Sequence, residues 1–437
     1  MKKYTILALV SFIYILGGCT YDAVSEEPMD AASEIAVEGV EAAGLAAKGR
    51  PVSNLGYRYT EIIIKYKDRI SDREKAGIRK RHEVLSYKEC NCADERLELW
   101  RFKTDKDVEL ISEDQAIIDI ERRRAQAKAD PGLEGTDFNF IVNVVEDIND
   151  KPDYRGIPRD KIVRRNTGVT VAVLDTGLDY NYEGFQRPFI YNSVASGTNG
   201  VYGGYMDRFG WDLVSQDNDP LDDNGHGTAI TYFITSALEQ QGIYDYQILP
   251  VKVADREGKA SFFDLLCGFK YALNKPGVAV INLSLGWYGE SSNFFAEFIA
   301  EALQKNILIV TSAGNGSSNN DKEPHYPSSY PDQNIISIAG MNKNMTALAS
   351  YSNYGKESVD FAAVSENIPF NVDGITHLVS GTSFASAFAT AHVAALRYEG
   401  ILPGDVESYM ASNAIYTRTL SGRIKTSSYI PYNSKIQ

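Results

Sequence analysis

The chain has 437 residues, which is more than one ordinary domain needs and enough for a large core with additional segments. Hydrophobic residues make up 43% of it and charged residues 23%, which is the composition of a globular protein. The formal net charge of −14 argues against a nucleic acid as partner, because binding phosphates needs a basic face.

The N-terminus has the pattern of a targeting segment. A pair of lysines precedes a largely apolar stretch, 4–16, whose length suits a signal peptide and is too short to span a membrane. The sequence Leu-Gly-Gly-Cys that ends at Cys19 resembles a bacterial lipobox, in which the signal is cut before the cysteine and the thiol is lipidated. We therefore predict a lipoprotein signal peptide in residues 1–18 and a lipid anchor on Cys19. The alternative is plain secretion, with Cys19 as a bystander.

This prediction places the protein in the bacterial cell envelope, attached to the membrane through its lipid, with the outer membrane favoured. Residues 19–56 are rich in Ala, Glu, Ser and Gly and predict a flexible tether. Such a segment cannot bury enough apolar surface to offset the entropy lost on ordering.

Residues 57–124 predict a small α+β module. A strand is expected at 59–66, a helix at 71–81 that begins with a Ser-x-x-Glu capping box, and a second strand at 97–102. The stretch 125–135 after it is expected to be a linker, and residues 127–132 within it are expected to be flexible enough to be cut.

From about residue 168 the pattern is typical of an α/β fold. Near-continuous apolar runs predict strands that are buried on both faces, as in a parallel sheet covered by helices. The runs are 169–174, 278–283, 307–310 and 335–339, and helix-like stretches occur at 262–273, 294–304 and 383–397. We assign residues 136–437 to this domain.

The cysteines do not predict a disulfide framework. Cys90 and Cys92 are separated by one residue, an awkward geometry for a bridge, and one such pair is a weak zinc signal. Cys267 lies in an apolar, helix-like stretch, and we expect it to be a small buried residue.

Three polar residues are candidates for chemistry. Asp175 follows an apolar strand, where functional groups of parallel sheets gather, and His226 stands between two glycines that let the backbone come close. Ser383 is at the start of a helix, where unpaired N–H groups can stabilise an oxyanion. Taken singly, an aspartic-protease motif, a turn histidine and an N-cap serine remain alternatives.

Together, in the order Asp, His, Ser, these segments resemble the subtilisin-like serine peptidases. Further segments that resemble that family are 281–286, 311–315, 326–331 and 349–355, so that the resemblance covers about 165–400. It implies a subtilisin-like three-layer sandwich with a mainly parallel sheet. It also implies that the α+β module is similar to an inhibitory propeptide that self-cleavage removes. After the serine the chain reads Phe-Ala-Ser-Ala, where the family usually has Met-Ala-x-Pro.

The resemblance implies a serine endopeptidase that acts on proteins or peptides through an acyl-enzyme intermediate. Ser383 would attack the scissile carbonyl, His226 would transfer the proton, and Asp175 would orient the imidazole. The Asn315 side chain and the Ser383 N–H would bind the oxyanion. Two segments would pair with substrate backbone and wall the specificity pocket: Ser284, Leu285 and Gly286, and Ala313 and Gly314.

No cofactor is required for this chemistry, and no metal is assigned. A structural calcium is one interpretation of an acidic loop, and a solvated turn is the other. The loop contains Asp212, Asp217, Asp219, Asp222 and Asp223. Two other functions compete with a peptidase. A non-catalytic envelope lipoprotein that uses the fold as a binding module predicts loss of a triad or oxyanion residue. An esterase needs Gly-x-Ser-x-Gly and the order Ser, acid, His.

Overall fold

The structure is a computed structural model that describes residues 56–102, 113–144 and 163–431. Within the last range it leaves out 166, 186–188, 194–196, 198–199, 203–204, 208 and 373. The predicted signal peptide, Cys19 and all of the predicted tether except Gly56 lie outside the described residues. In the part of the chain that is described, no helix has both the length and the apolar character that crossing a membrane requires.

The N-terminal module is an antiparallel sheet with helices packed on it. Its elements are β1 (Tyr57–Tyr66), α1 (Asp72–Arg81), β2 (Val84–Glu89), β3 (Leu97–Phe102), α2 (Glu113–Lys128) and β4 (Leu133–Asn143). The strands of the module have the order β4-β1-β3-β2, and a fifth strand from the rest of the chain, Lys259–Ser261, pairs with β4 in the same sheet. The predicted helix begins at its capping box, because the Ser71 side chain accepts a hydrogen bond from the Glu74 N–H and the Ser71 N–H donates to Glu74 Oε2. Both predicted strands are present.

The stretch 125–135 is not a linker in the structure. It comprises the end of α2, a short turn and the start of β4. Ala127 is fully buried, and the Asp130 carboxylate accepts hydrogen bonds from Arg81 and from the Gly132 N–H. The sequence did not predict helix α2, because few of its side chains are buried and its apolar residues therefore recur only weakly at helical spacing. The sheet of the module therefore extends to the end of β4, beyond the predicted limit at residue 124.

The rest of the described chain is an α/β domain. Its strands and helices are, in chain order, β5 (Val163–Arg165), β6 (Val169–Asp175), β7 (Phe189–Tyr191), β8 (Val201–Tyr202), β9 (Tyr205–Met206), β10 (Trp211–Asp212), α3 (His226–Gln240), β11 (Tyr246–Lys252), β12 (Lys259–Ser261), α4 (Phe262–Leu273), β13 (Val278–Leu283), β14 (Trp287–Tyr288), α5 (Asn293–Gln304), β15 (Leu308–Ser312), β16 (His325–Tyr326), β17 (Ile335–Met341), β18 (Phe361–Val364), β19 (Ile368–Val372), β20 (Ile375–Val379), α6 (Thr382–Tyr398), α7 (Pro403–Asn413), β21 (Ile415–Tyr416) and β22 (Ser428–Tyr429).

The predicted parallel sheet is confirmed. Its strand order is β21-β22-β18-β17-β15-β13-β6-β11-β7-β5, and β10 also pairs with β11. The pairs are parallel except β21 with β22. The apolar runs of the sequence are the four neighbouring strands β17, β15, β13 and β6, whose side chains are almost all buried.

Helices cover both faces of this sheet, which gives the expected three-layer sandwich. Val171 and Val173 on one face of β6 belong to an apolar cluster with α3 and α6. Ala172 and Leu174 on the other face belong to a second cluster with α4 and α5. Because successive residues of a strand point to opposite faces, an uninterrupted apolar run is what a sheet with two covered faces needs.

The module packs on the layer formed by α4 and α5. The Phe140 ring stacks on Phe262 with the centroids 4.3 Å apart, inside the apolar cluster that the two parts share. Polar groups of β4 bind the starts of both helices. Asp137 Oδ2 accepts from Ser292 Oγ at 2.6 Å, and Asn139 Oδ1 accepts from the Phe263 N–H at 3.2 Å. The bond to Phe263 satisfies an N–H that the start of α4 leaves unpaired, and the bond to Ser292 holds the side chain that caps α5.

The prediction of no disulfide is wrong for one pair. Cys267 is buried in α4 as expected, but its sulfur is bonded to that of Cys90 in the module, and the Cα atoms are 5.7 Å apart. The two cysteines are 177 residues apart, so spacing along the chain gave no sign of the bond and only the packing of module on domain brings them together. Cys92 is a buried free thiol, and burial raises its pKa to about 12.

Candidate active site

Asp175 and His226 meet at the carboxyl end of the parallel sheet. Asp175 is the last residue of β6 and His226 the first of α3. The imidazole Nδ1 lies 2.7 Å from Asp175 Oδ1, and both side chains are fully buried. A methyl group on Gly227 would lie 2.3 Å from the Gly177 carbonyl oxygen and 3.2 Å from Asp175 Cβ. A glycine is therefore needed here for α3 to begin so close to the end of β6.

Asp222 connects the segments that carry this pair. Its Oδ1 accepts from Thr176 Oγ1 and from the Gly225 N–H, each at 2.9 Å. Its Oδ2 accepts from the N–H and the hydroxyl of Thr228. Sequence reasoning placed Asp222 in the acidic loop and missed this positioning role, which depends on contacts that only the folded loop creates.

The acidic loop uses its buried carboxylates in the same way. Asp212 Oδ1 accepts from the N–H groups of Val214 and Ser215, and burial raises its pKa to about 6. Within the described ranges, histidines, cysteines and carboxylates do not form a group of three or more that could hold a metal ion. Asp212 Oδ1 and both carboxylate oxygens of Asp222 accept hydrogen bonds from N–H or O–H groups of the protein.

Ser383 is the second residue of α6. Its backbone N–H belongs to the first turn, where a helix offers no acceptor. Its hydroxyl donates to the Ser284 carbonyl oxygen at 3.0 Å. The ring of the next residue, Phe384, has its centroid 5.9 Å from that of His226. The structure thus brings Asp175, His226 and Ser383 to one place, where the first turns of α3 and α6 meet.

Asn315 lies beside the same helix start. Its Oδ1 accepts from the Thr382 N–H at 3.0 Å and from the Thr382 hydroxyl at 2.8 Å. Because Thr382 donates both bonds to the amide oxygen, the Asn315 amide is held in one orientation, with its oxygen towards Thr382 and its NH₂ group on the other side.

The predicted substrate-binding residues surround this position. Ser284 contacts Ser383, and the Gly314 N–H donates to Thr382 Oγ1 at 3.2 Å. Leu285 and Ala313 are buried next to them in the chain, and Gly286 ends the first segment. Two stretches of backbone, 284–286 and 313–314, thus lead to the nucleophile candidate.

The end of the module lies along the first of these stretches. Residues 141–143 of β4 pair antiparallel with β12, and Asn143 forms an antiparallel bridge with Gly286. The Val144 N–H donates to the Gly258 carbonyl oxygen at 2.8 Å. A strand of the chain itself therefore fills the groove between β12 and segment 284–286.

The three-layer α/β domain, with Asp, His and Ser in this chain order at the carboxyl end of its parallel sheet, has the layout of subtilisin-like folds. The subtilase family model matches residues 166–424, more than half of the chain, and the chain belongs to this family. It is therefore a member of a serine protease family.

Known relatives are similar over most of this domain. The chain is 26% identical over 359 residues to a thermophilic serine proteinase of Bacillus sp. (strain AK1), with 79% of each covered. It is 30% identical over 238 residues to thermitase of Thermoactinomyces vulgaris, covering 53% of this chain and 74% of thermitase. A crystal structure of a cold adapted subtilisin-like serine proteinase matches with a TM-score of 0.46 and 24% identity, over 61% of this chain and 90% of that one.

Proposed function

We propose that the protein is a serine endopeptidase that uses Asp175, His226 and Ser383. The observation that supports this most is the 2.7 Å contact between the buried Asp175 and His226, beside a serine at a helix start. A buried carboxylate next to Nδ1 keeps the hydrogen on Nδ1, so that Nε2 carries the lone pair a base needs.

The steps of the reaction follow from the chemistry of these three side chains. Nε2 of His226 takes the proton of Ser383 Oγ while this oxygen attacks the scissile carbonyl carbon, and Asp175 stabilises the imidazolium. The imidazolium then gives the proton to the leaving amine as the peptide bond breaks, which leaves an acyl-enzyme. Water then takes the place of the amine. His226 removes a proton from the water as its oxygen attacks the acyl carbon, and the imidazolium returns the proton to Ser383 Oγ as the acid product leaves.

Fluorophosphonate labelling tests this function, because the probe reacts with an activated serine. We expect the mature protein to be labelled, with the label located on Ser383 by peptide mapping. Ser380→Ala removes a neighbouring hydroxyl that accepts from the Asn367 N–H and should leave labelling unchanged. A label on another serine, or none at all, would contradict the proposal.

Asn315→Ala should lower kcat by about 10²–10³-fold and leave KM nearly unchanged. The amide N–H would act on the oxyanion that exists only in the transition state. Steady-state kinetics on a peptide substrate measure both constants. Asn344→Ala, in an exposed loop, is the control, and a change confined to KM would exclude the role.

We also propose that residues 57–144 act as an inhibitory propeptide. Its last strand, paired with β12 and bridged to Gly286, takes the place that a substrate backbone would take. The aromatic stack of Phe140 on Phe262 and the ion pair of Lys88 with Asp264, at 2.7 Å, help to hold it there.

The lipobox-like sequence supports a further proposal, that Cys19 carries a lipid anchor in the cell envelope. Cys19→Ser should shift the protein from the membrane to the soluble fraction or leave the signal peptide uncut. Fractionation followed by immunoblotting measures this, and the conservative Thr20→Ser is the control. A wild-type protein that is soluble and starts at another residue would disprove the anchor.

A further inference from the structure

A histidine ring lies between the two walls of the specificity pocket proposed above. A methyl group on Gly286 would come within 2.4 Å of His325 Cε1 and 2.6 Å of its Nε2. A methyl group on Gly314 would come within 3.1 Å of Cδ2 of the same ring. The imidazole therefore fills the space between the stretches 284–286 and 313–314, and it is 1% exposed.

The ring is held on several sides, so it cannot easily swing out of this space. Its Nδ1 lies 3.2 Å from Ser328 Oγ. Its edge packs on the ring of Tyr288 in the paired strand β14, with the centroids 4.8 Å apart. The Tyr288 hydroxyl is itself fixed, because it accepts from Asn353 Nδ2 at 2.8 Å. A side chain of the substrate that reaches between the two stretches would therefore meet the imidazole.

The ring brings no charge to the pocket at neutral pH. Burial lowers the pKa of His325 to about 4, and no charged side chain contributes to the shift. The hydroxyl hydrogen of Ser328 is donated to the His325 carbonyl oxygen at 2.6 Å, so Nδ1 carries the hydrogen that it shares with Ser328. Nε2 is then an acceptor, and it is buried without a hydrogen-bond partner among the described residues.

These properties limit which side chains the pocket can take. An acceptor nitrogen on a neutral ring offers a carboxylate neither a hydrogen bond nor an opposite charge. A lysine or an aromatic ring is too long, because inserting extra atoms into a filled space forces the surrounding side chains apart. A short side chain such as that of valine, alanine or threonine can stay above the ring.

The register of the module's last strand indicates which residue the chain itself would offer to this pocket. Asn143 is opposite Gly286, and the two strands are antiparallel. In a substrate strand bound in this register, the residue opposite Ser284, whose carbonyl oxygen contacts Ser383 Oγ, is the second one after the residue opposite Gly286. In the sequence of this chain, the second residue after Asn143 is Val145, which lies outside the described residues. It has a short side chain.

We propose that the protease cleaves after short side chains and that His325 sets this specificity by filling the base of the pocket. This inference rests on the proposed peptidase function. The ring acts by occupying volume, so its removal should widen the range of substrates instead of abolishing cleavage. That gain separates a specificity role from a structural one.

A digest of unfolded casein by the mature full-length protein tests the preference, since mass spectrometry reads the residue before each cut whatever the specificity. We expect cuts after Val, Ala and Thr to exceed those after Phe, Tyr, Lys or Glu at least tenfold, relative to abundance. Fluorogenic peptides with the sequence Val-Asn-Val-Xaa, where Xaa is Val, Phe or Glu, then give kcat/KM. Val should exceed both others at least tenfold.

Two variants connect the preference to the ring. His325→Ala removes most of the filling volume and should raise kcat/KM for the Phe peptide at least tenfold, with that for the Val peptide unchanged or lowered. His325→Gln keeps a side chain of similar length and should retain the preference for Val. His377→Ala, which removes a histidine from the hairpin of β19 and β20, is the matched control and should leave the profile unchanged.

A purely structural role would lower kcat/KM for all three peptides together in His325→Ala, and that outcome overturns the proposal. Labelling of Ser383 with preferred cleavage after Phe, Lys or Glu in the wild type would overturn the short specificity and leave the peptidase intact. No labelling and no cleavage would overturn the peptidase and the inference with it.

Discussion

Ser383→Ala should lower kcat by about a millionfold, the order that removal of the nucleophile has in subtilisin. The variant keeps the oxyanion donors and the binding groove but has no oxygen to form the acyl-enzyme. Its fold should survive, because the hydrogen bond from the hydroxyl to the Ser284 carbonyl oxygen is of ordinary length, and such a bond contributes about 1 kcal/mol.

Kinetics on a peptide substrate and thermal unfolding measure the two effects separately. The melting temperature should change by a few degrees at most, and Ser380→Ala should match the wild type in both measurements. Proteolysis by the purified alanine variant within tenfold of the wild-type rate would show that Ser383 is not the nucleophile. A large loss of melting temperature would show that the serine serves the fold instead.

The central sheet was predictable because each of its main strands is marked in the sequence by a run of apolar residues. Strands β6, β13, β15 and β17 carry mostly apolar residues on both faces, which is the pattern of strands in a sheet that is covered on both sides. The candidate triad was recognisable only from several motifs together, because Asp175, His226 and Ser383 each have an ordinary structural explanation when taken singly, and their order along the chain resembles that of a family.

The features that the sequence did not reveal depend on residues that meet only in the folded chain. Cys90 and Cys267 come from separate parts of the molecule, and Asp222 acts through backbone N–H groups. His325 immediately precedes the segment 326–331 that resembles the family, but its neighbours in the sequence give no sign of a pocket. Its position between Gly286 and Gly314 is a property of three loops together.

The wild-type protein should cut itself between the module and the catalytic domain and yet remain one covalent molecule. The strand that ends at Asn143 lies in the groove that leads to Ser383. A substrate bound in its register would be cut after the second residue beyond Asn143, which in the sequence is Val145. The stretch 127–132, expected from the sequence to be the cut region, is held by the buried Ala127 and by hydrogen bonds to Asp130. Cleavage there would need local unfolding, so we expect Glu146 as the new N-terminus.

The disulfide of Cys90 with Cys267 decides whether the two fragments separate after the cut. It joins the module to α4, so the fragments stay linked in an oxidising compartment such as the cell envelope. A lipid on Cys19 would then keep the catalytic domain at the membrane after processing, although the peptide chain between them is broken. The inhibitory strand can leave the groove while the module remains attached, since the cut frees its C-terminal end.

Gel electrophoresis with and without reductant tests both steps, and N-terminal sequencing of the catalytic fragment locates the cut. Wild type should run as one species without reductant and as two fragments with it, and Ser383→Ala as one chain in both. Cys90→Ser should give two fragments under either condition, with more of the catalytic fragment in the soluble fraction. An active wild type that stays intact under reducing conditions would disprove self-cleavage and make the module a permanent domain. Two fragments without reductant would show that the bond does not hold them.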